Sequence, residues 1–175
     1  FVADLDQDGK QDIFFSEGNI FYVFENAGNN LYQQVFRESI SVMGFTSDMT
    51  HGDFDRDGKV DVAMGYNTAN WPSAIVYECT DDNQYQKKWV DSTMYINNLD
   101  VFSADDADGD GKPEFIVGWM RCNGTWTYGF RIYESTGNDR YTKIYFDSVM
   151  DVPLSHQSAY SDCGDVDSDG RPEIA

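Results

Sequence analysis

Nine residues near the start of the chain, Asp4 to Asp12, read DLDQDGKQD. Four carboxylates packed this closely repel one another in a compact fold unless positive charge sits among them. The stretch recurs: Asp53 to Asp61 reads DFDRDGKVD, Asp106 to Glu114 reads DADGDGKPE, and Asp165 to Glu173 reads DVDSDGRPE. In all four copies the acids hold positions 1, 3, 5 and 9, with glycine at position 6. The first positions lie 49, 53 and 59 residues apart. A fixed spacing copied at such a period marks stacked supersecondary units, and not a solvated run of charge.

The spacing dictates the chemistry. Side chains at positions 1, 3 and 5 converge on one centre if the backbone curls around it. Gly9, Gly58, Gly111 and Gly170 permit the curl. Position 7 would offer its backbone carbonyl, so the charge of its side chain need not matter, and the acid at position 9 closes the ring. The expected metal ligands are Asp4, Asp6, Asp8, Lys10 and Asp12; Asp53, Asp55, Asp57, Lys59 and Asp61; Asp106, Asp108, Asp110, Lys112 and Glu114; and Asp165, Asp167, Asp169, Arg171 and Glu173. An all-oxygen set suits a hard cation of flexible coordination, calcium before magnesium, at about one ion per loop. With no thiolate or imidazole in the loops, zinc is disfavoured. An EF-hand would require a bidentate glutamate at position 12, where this chain has Phe15, Met64 and Val117. The runs leaving the loops, DIFF, DVAM and EFIV, are β-prone and do not start an amphipathic helix.

A second ruler runs between the loops. Strand-like runs end in Glu25, Glu78 and Glu134; seven residues on come Tyr32, Tyr85 and Tyr141; four further, Phe36, Trp89 and Tyr145; three further, Ser39, Ser92 and Ser148. The intervening NAGNNL, CTDDNQ and STGNDR have the composition of hairpin turns. Each unit therefore reads strand, acidic loop, strand, variable loop, strand, tight turn, strand. The fold class expected is all-β: β-propeller blades of four antiparallel strands with a calcium loop between strands 1 and 2. Blade boundaries are expected near 1–42, 43–95 and 96–152, with the start of a fourth blade at 153–175. The 15% aromatic content fits packing between blades. The chain opens inside a first strand and stops as the fourth loop enters its second. It reads as an open excerpt of a larger propeller, with further blades beyond both ends, or copies of itself, as partners.

DFDRDGKVDVAMGY and DADGDGKPEFIVGW resemble the FG-GAP or VCBS calcium-binding repeat of integrin α-subunit-like propellers, and the resemblance extends over the four motif copies. It implies a calcium ion between the first two strands of each blade and an extracellular, secreted or cell-surface setting. The Phe-Gly and Gly-Ala-Pro signatures of the integrin version are not evident, so the likeness is to the broad bacterial-type repeat.

The formal charge of −19 is largely a matter of these loops, which hold 16 of the 31 acids. Four calcium ions would leave −11, still acidic enough to make nucleic acid and anionic membranes poor partners. No stretch is apolar enough for membrane insertion. Three cysteines, Cys79, Cys122 and Cys163, cannot all pair within the chain; buried thiols or a Cys122–Cys163 bridge are both open. His51 and His156 lie far apart in sequence, and His51 is expected to pack against a neighbouring strand or the central channel.

Recognition is expected opposite the acidic loops, where the connections between strands 2 and 3 differ: SEGN in the first unit, GYNTANWPS from Gly65 to Ser73, and GWMRCNGTWTYG from Gly118 to Gly129. Tyr66, Asn67, Asn70, Trp71, Trp119, Arg121, Trp126 and Tyr128 are the candidate ligand-binding residues, with a glycan or a protein as the ligand. Asn123 begins an Asn-Gly-Thr glycosylation sequon in the same region. No nucleophile triad, phosphate loop or redox motif appears, so the expected role is a calcium-stabilised adhesion or ligand-binding module and not an enzyme. The alternatives are a polysaccharide lyase or other carbohydrate-active enzyme on a calcium propeller, and a purely architectural repeat.

Overall fold

The computed structural model describes residues 1–40, 45–67, 74–91, 97–122, 126–152, 163–165, 167–168 and 173–174. The described residues contain strands, turns and bends, and no helix. Strands β1 (Val2–Ala3), β2 (Asp12–Glu17), β3 (Ile20–Gly28) and β4 (Leu31–Ser39) form the first sheet in sequence order. Strands β5 (Phe45–Gly52), β6 (Asp61–Asn67), β7 (Ala74–Asp81) and β8 (Gln84–Asp91) form the second. Strands β9 (Asn97–Asp105), β10 (Glu114–Cys122), β11 (Trp126–Gly137) and β12 (Arg140–Val152) form the third. A two-stranded pair, β13 (Cys163–Gly164) and β14 (Glu173–Ile174), follows. Every pairing is antiparallel, so each four-stranded unit is a meander with the shape of a propeller blade.

The sheets stack face to face, and strand alternation decides which residue meets which neighbour. In the second sheet, Val62, Met64, Ile75 and Tyr77 point to the first sheet and pack on Leu5, Phe14, Phe21 and Val23. Their alternates Ala63, Ala74 and Val76 point to the third and meet Val101, Phe115, Val117 and Tyr133. A sheet covered on both faces needs apolar residues at consecutive positions. β7 meets that need with AIVYEC, buried throughout, whereas β3 alternates buried with half-buried residues. Aromatic rings fill the seams: Phe21 and Phe36 meet Tyr77 across the first, and Trp89 meets Phe115, Tyr133 and Tyr141 across the second.

A buried polar tie spans the second seam. Arg131 of β11 is wholly buried, with Nη1 3.4 Å from Asp91 Oδ2 of β8, and the Tyr133 hydroxyl donates to the same carboxylate. Breaking such a pair from one side strands a buried charge, so it fixes how the second and third sheets register.

The hairpin arms reach further than the sequence suggests. The stretch from Gly118 to Gly129 was expected to be a connecting loop, but β10 continues to Cys122 and β11 resumes at Trp126, with Trp119 opposite Gly129 and Arg121 opposite Thr127. Likewise β6 carries on through Tyr66 and Asn67. The aromatic and β-branched residues read as loop surface are ladder residues that extend the hairpin. Gly129 is what lets Trp119 lie flat. The indole stacks on Phe146 with ring centroids 5.2 Å apart. A Cβ on Gly129 would fall 2.6 Å from that indole and run into the Asp147 carbonyl oxygen. Gly129→Ala is expected to cost about 1–3 kcal/mol through overpacking. Urea unfolding of the variant checks this; an unchanged midpoint would show that the sheet yields at no cost.

Candidate metal centre

The three fully described loops, 4–12, 53–61 and 106–114, share one hydrogen-bond scheme. At position 1, Asp4, Asp53 and Asp106 accept the amide of the position-6 glycine through Oδ2, at 3.0, 3.0 and 2.9 Å. At position 3, Asp6, Asp55 and Asp108 accept the amide two residues on, at 3.3, 3.2 and 3.0 Å. At position 5, Asp8, Asp57 and Asp110 accept the lysine amide at 2.8, 2.9 and 2.9 Å. At position 9, Asp12, Asp61 and Glu114 reach back to the amides of Leu5, Phe54 and Ala107 at 3.0, 3.0 and 2.7 Å. Such side-chain-to-backbone bonds are the local alternative that Asp offers to a regular ladder. Gly9, Gly58 and Gly111 sit at φ +91°, +92° and +93°, in space where a Cβ would meet nothing nearby except, at Gly111, the Arg56 guanidinium 3.8 Å away. Glycine is therefore demanded by backbone conformation and not by crowding.

This scheme leaves several carboxylate oxygens over, although in the second loop Asp53 uses both, its Oδ1 accepting the Asp57 amide at 3.1 Å. Asp4 Oδ1, Asp12 Oδ1, Asp61 Oδ1, Asp106 Oδ1 and Glu114 Oε1 are buried and have no hydrogen-bond partner among the described residues. A buried, unpaired carboxylate oxygen is costly, and a cation is the partner that satisfies several at once. In the third loop Asp106, Asp108, Asp110 and Glu114 each bring a ligand oxygen within 4.8 Å of the others. In the second loop Asp53, Asp55 and Asp57 do so. In the first, the convergent group is Asp6 and Asp8 with Glu25 and Asp82, neither of the last two a loop residue. The donors are all carboxylate oxygen, so the set fits a hard divalent cation.

The lysine at position 7 was expected to offer its carbonyl, with a side-chain charge that need not matter; the charge has a place of its own. The ammonium bridges two acids. Lys10 contacts Asp8 at 2.6 Å and Glu25 at 2.8 Å; Lys59 contacts Asp57 and Glu78, both at 3.1 Å; Lys112 contacts Asp110 at 2.6 Å and Glu134 at 2.7 Å. The reason lies in the strand register. Asp12 pairs with Glu25, Asp61 with Glu78 and Glu114 with Glu134, so each loop-closing acid faces another acid across the first rung. Like charges directly opposed are destabilising, and the lysine relieves them. The sequence carried the signal, a glutamate ending each third strand, but its register with the loop was not legible. In the second sheet Lys88 also bridges Glu78 at 2.8 Å and Asp139 at 2.9 Å.

Of the fourth loop, Asp165 and Asp167 are described and exposed, and Glu173 lies in β14 opposite Gly164. Asp169 and Arg171 lie outside the described residues.

Trp119 and Tyr128 are only 3% and 8% exposed. They are corrected to buried ladder residues on opposite faces of the β10–β11 hairpin, Trp119 being covered by the Phe146 ring of its own sheet. Tyr66 and Asn67 end β6, and Arg121 and Trp126 flank the tip of the β10–β11 hairpin. Asn70, Trp71 and Asn123 lie outside the described residues. His51 is half-buried and meets the Phe14 ring edge-on at 5.3 Å, and burial lowers its pKa. Cys79 is a buried free thiol whose pKa burial pushes up to about 12; Cys122 and Cys163 occupy strands β10 and β13.

Residues 4–64 match the family model of the FG-GAP-like repeat. The match takes in the first loop, the first sheet and the second loop with the start of β6. A search of curated proteins finds no match. The protein is thus an all-β repeat protein of blade-like sheets. It carries an FG-GAP-like repeat, of the FG-GAP/VCBS type, over residues 4–64.

Burial raises the pKa of Asp12 to about 6, of Asp61 to about 8 and of Glu114 to about 7, in each case chiefly by desolvating the charged form. In the unfolded chain these groups titrate near 3.9 for Asp and 4.3 for Glu, roughly. The fold therefore binds more protons than the unfolded chain between about pH 4 and 8, and stability present below that window is lost as pH rises through it. In chelator, the melting temperature is expected to fall from pH 5 to pH 8. A flat or rising profile would show that these carboxylates are already paired without a metal.

Proposed function

We propose that this chain is a calcium-stabilised propeller module of the extracellular or cell-surface kind, serving adhesion or ligand binding and not catalysis. The observation that supports it most is the buried, unpaired carboxylate oxygen at position 9 of all three described loops, joined by one at position 1 in the first and third. Three loops that each keep a buried, unpaired oxygen on the position-9 acid suit one ion per loop. The FG-GAP-like match over residues 4–64 agrees with a propeller-type module that is often extracellular.

Calcium in this reading does no chemistry. Held by Asp106, Asp108, Asp110 and Glu114 in the third loop, by Asp53, Asp55 and Asp57 in the second, and by Asp6 and Asp8 with Glu25 and Asp82 in the first, it would supply the positive charge that the first rung of each sheet lacks. Each site filled a hundredfold above its dissociation constant adds about 2.7 kcal/mol to stability. Millimolar calcium outside cells matches weak sites of this type. Recognition falls to the opposite ends of the sheets, through Tyr66, Asn67, Asn70, Trp71, Arg121 and Trp126. A glycan or a protein ligand suits residues of these aromatic, amide and guanidinium types.

Two measurements test the reading. Calorimetric titration of the chain with calcium is expected to show about one ion per loop, and Asp106→Asn with Asp108→Asn to remove one ion from the count. Absence of uptake contradicts the proposal. A glycan array and a polysaccharide panel are then run with the calcium-loaded protein. Binding lost in Trp71→Ala or Trp126→Ala, without loss of stability, supports recognition; depolymerised product would make the protein an enzyme.

A further inference from the structure

The tyrosine that follows each strand-end glutamate by seven residues has no part in its own sheet's loop. Tyr141 belongs to β12 in the third sheet. Its hydroxyl donates to Asp61 Oδ2 in the second sheet, at 2.8 Å across 80 residues of chain. Two residues earlier, at the hairpin turn, the backbone amide of Asp139 donates to Asp55 Oδ2 at 2.6 Å. The seam between the first and second sheets repeats the arrangement. The amide of Asn83 donates to Asp6 Oδ2 at 3.0 Å. The Tyr85 hydroxyl is buried there without a hydrogen-bond partner among the described residues, so the repeat extends to the turn amide and not to the tyrosine. Asn83 and Asp139 hold the same left-handed turn conformation, φ +56° and +57°. Tyr32 has the same register in the first sheet, opposite Asn26 as Tyr85 is opposite Cys79 and Tyr141 is opposite Ser135. It is 45% exposed, while Tyr85 and Tyr141 are buried. The burial of this tyrosine thus comes from the preceding sheet's loop and not from its own sheet.

The geometry at Asp61 gives the tyrosine a task. Oδ2 accepts two donors, the Phe54 amide at 3.0 Å and the Tyr141 hydroxyl, while Oδ1 stays buried and unpaired. Two donors on one oxygen fix the rotation of the carboxylate and so fix where the other oxygen points. An outer partner that orients a ligand in this way typically accounts for about tenfold or more in metal affinity. The loops also touch side by side, since Gln7 Nε2 donates to the Gly58 carbonyl of the next loop at 3.0 Å.

We propose that Tyr141 is a positioning residue for the cation site of the preceding sheet, so that an ion held in that loop locks two neighbouring sheets together. The proposal rests on the calcium reading above. It adds that this site is built across a seam, and that residues outside the nine-residue motif set its affinity.

The test is Tyr141→Phe in the full chain, titrated with calcium chloride by calorimetry and melted in calcium and in chelator. One calcium site is expected to weaken about tenfold while the others hold, and the calcium-dependent rise in melting temperature to shrink. Tyr145→Phe is the control, because that hydroxyl bonds Asp147 on the exposed surface and should leave every site unchanged. Should Tyr141→Phe not fold, hydrogen exchange of the wild-type chain decides: slowing at Asp139 to Tyr141 by calcium supports the proposal, and equal exchange in calcium and chelator overturns it. If all calcium affinities stay intact and the variant melts lower by the same amount in both media, the tyrosine is only a packing residue and the proposal is overturned, with the calcium reading still standing. If the wild-type chain takes up no calcium, both fall.

Discussion

Everything in this fold is arranged around one repeated conflict, two carboxylates facing each other across the first rung of a β-sheet. Asp12 and Glu25, Asp61 and Glu78, and Glu114 and Glu134 are directly opposed, with further acids packed just beyond the ends of the strands. Burial makes the conflict worse, since the loop-closing acids are about 1% exposed. One lysine per loop relieves part of it, at exposed positions where an ion pair is screened and worth little. The remaining buried oxygens are the strongest physical reason for a divalent cation, because they have no hydrogen-bond partner among the described residues.

The same loops connect this local problem to the stacking of sheets. The hydrophobic seams hold the sheets together without direction, through rings such as Phe115 and Tyr77 that would tolerate small slides. Register across a seam comes from polar contacts that have only one geometry. Arg131 with Asp91 is one; the hairpin amides of Asn83 and Asp139 on Asp6 and Asp55 are others. An acidic loop is therefore both the closure of its own sheet and the socket for the next sheet's hairpin.

The motif spacing made the loops and the meander legible, because a glycine at a fixed turn and alternating apolar runs are local signals. Trp119 and Tyr128 were misjudged for a local reason too: in a loop they read as surface, and only the length of the β10–β11 ladder turns them inward. Lys10, Lys59 and Lys112 were discounted because their partners, Glu25, Glu78 and Glu134, lie 15 to 22 residues on, and the register that opposes them is set by the hairpin. The tyrosine ruler was visible as a pattern, but its meaning was not. Its partner is on another sheet, 80 residues away, and no local rule reaches that far.

The most direct test of this account is hydrogen exchange followed by mass spectrometry, with the chain in calcium and in chelator. The account predicts that calcium slows exchange in the loops 4–12, 53–61 and 106–114 and, together with them, in the hairpin turns at Asn83 and Asp139. Exchange that is the same in both media at the loops would contradict a cation role. Slowing at the loops alone, with the turns unchanged, would contradict the coupling between sheets.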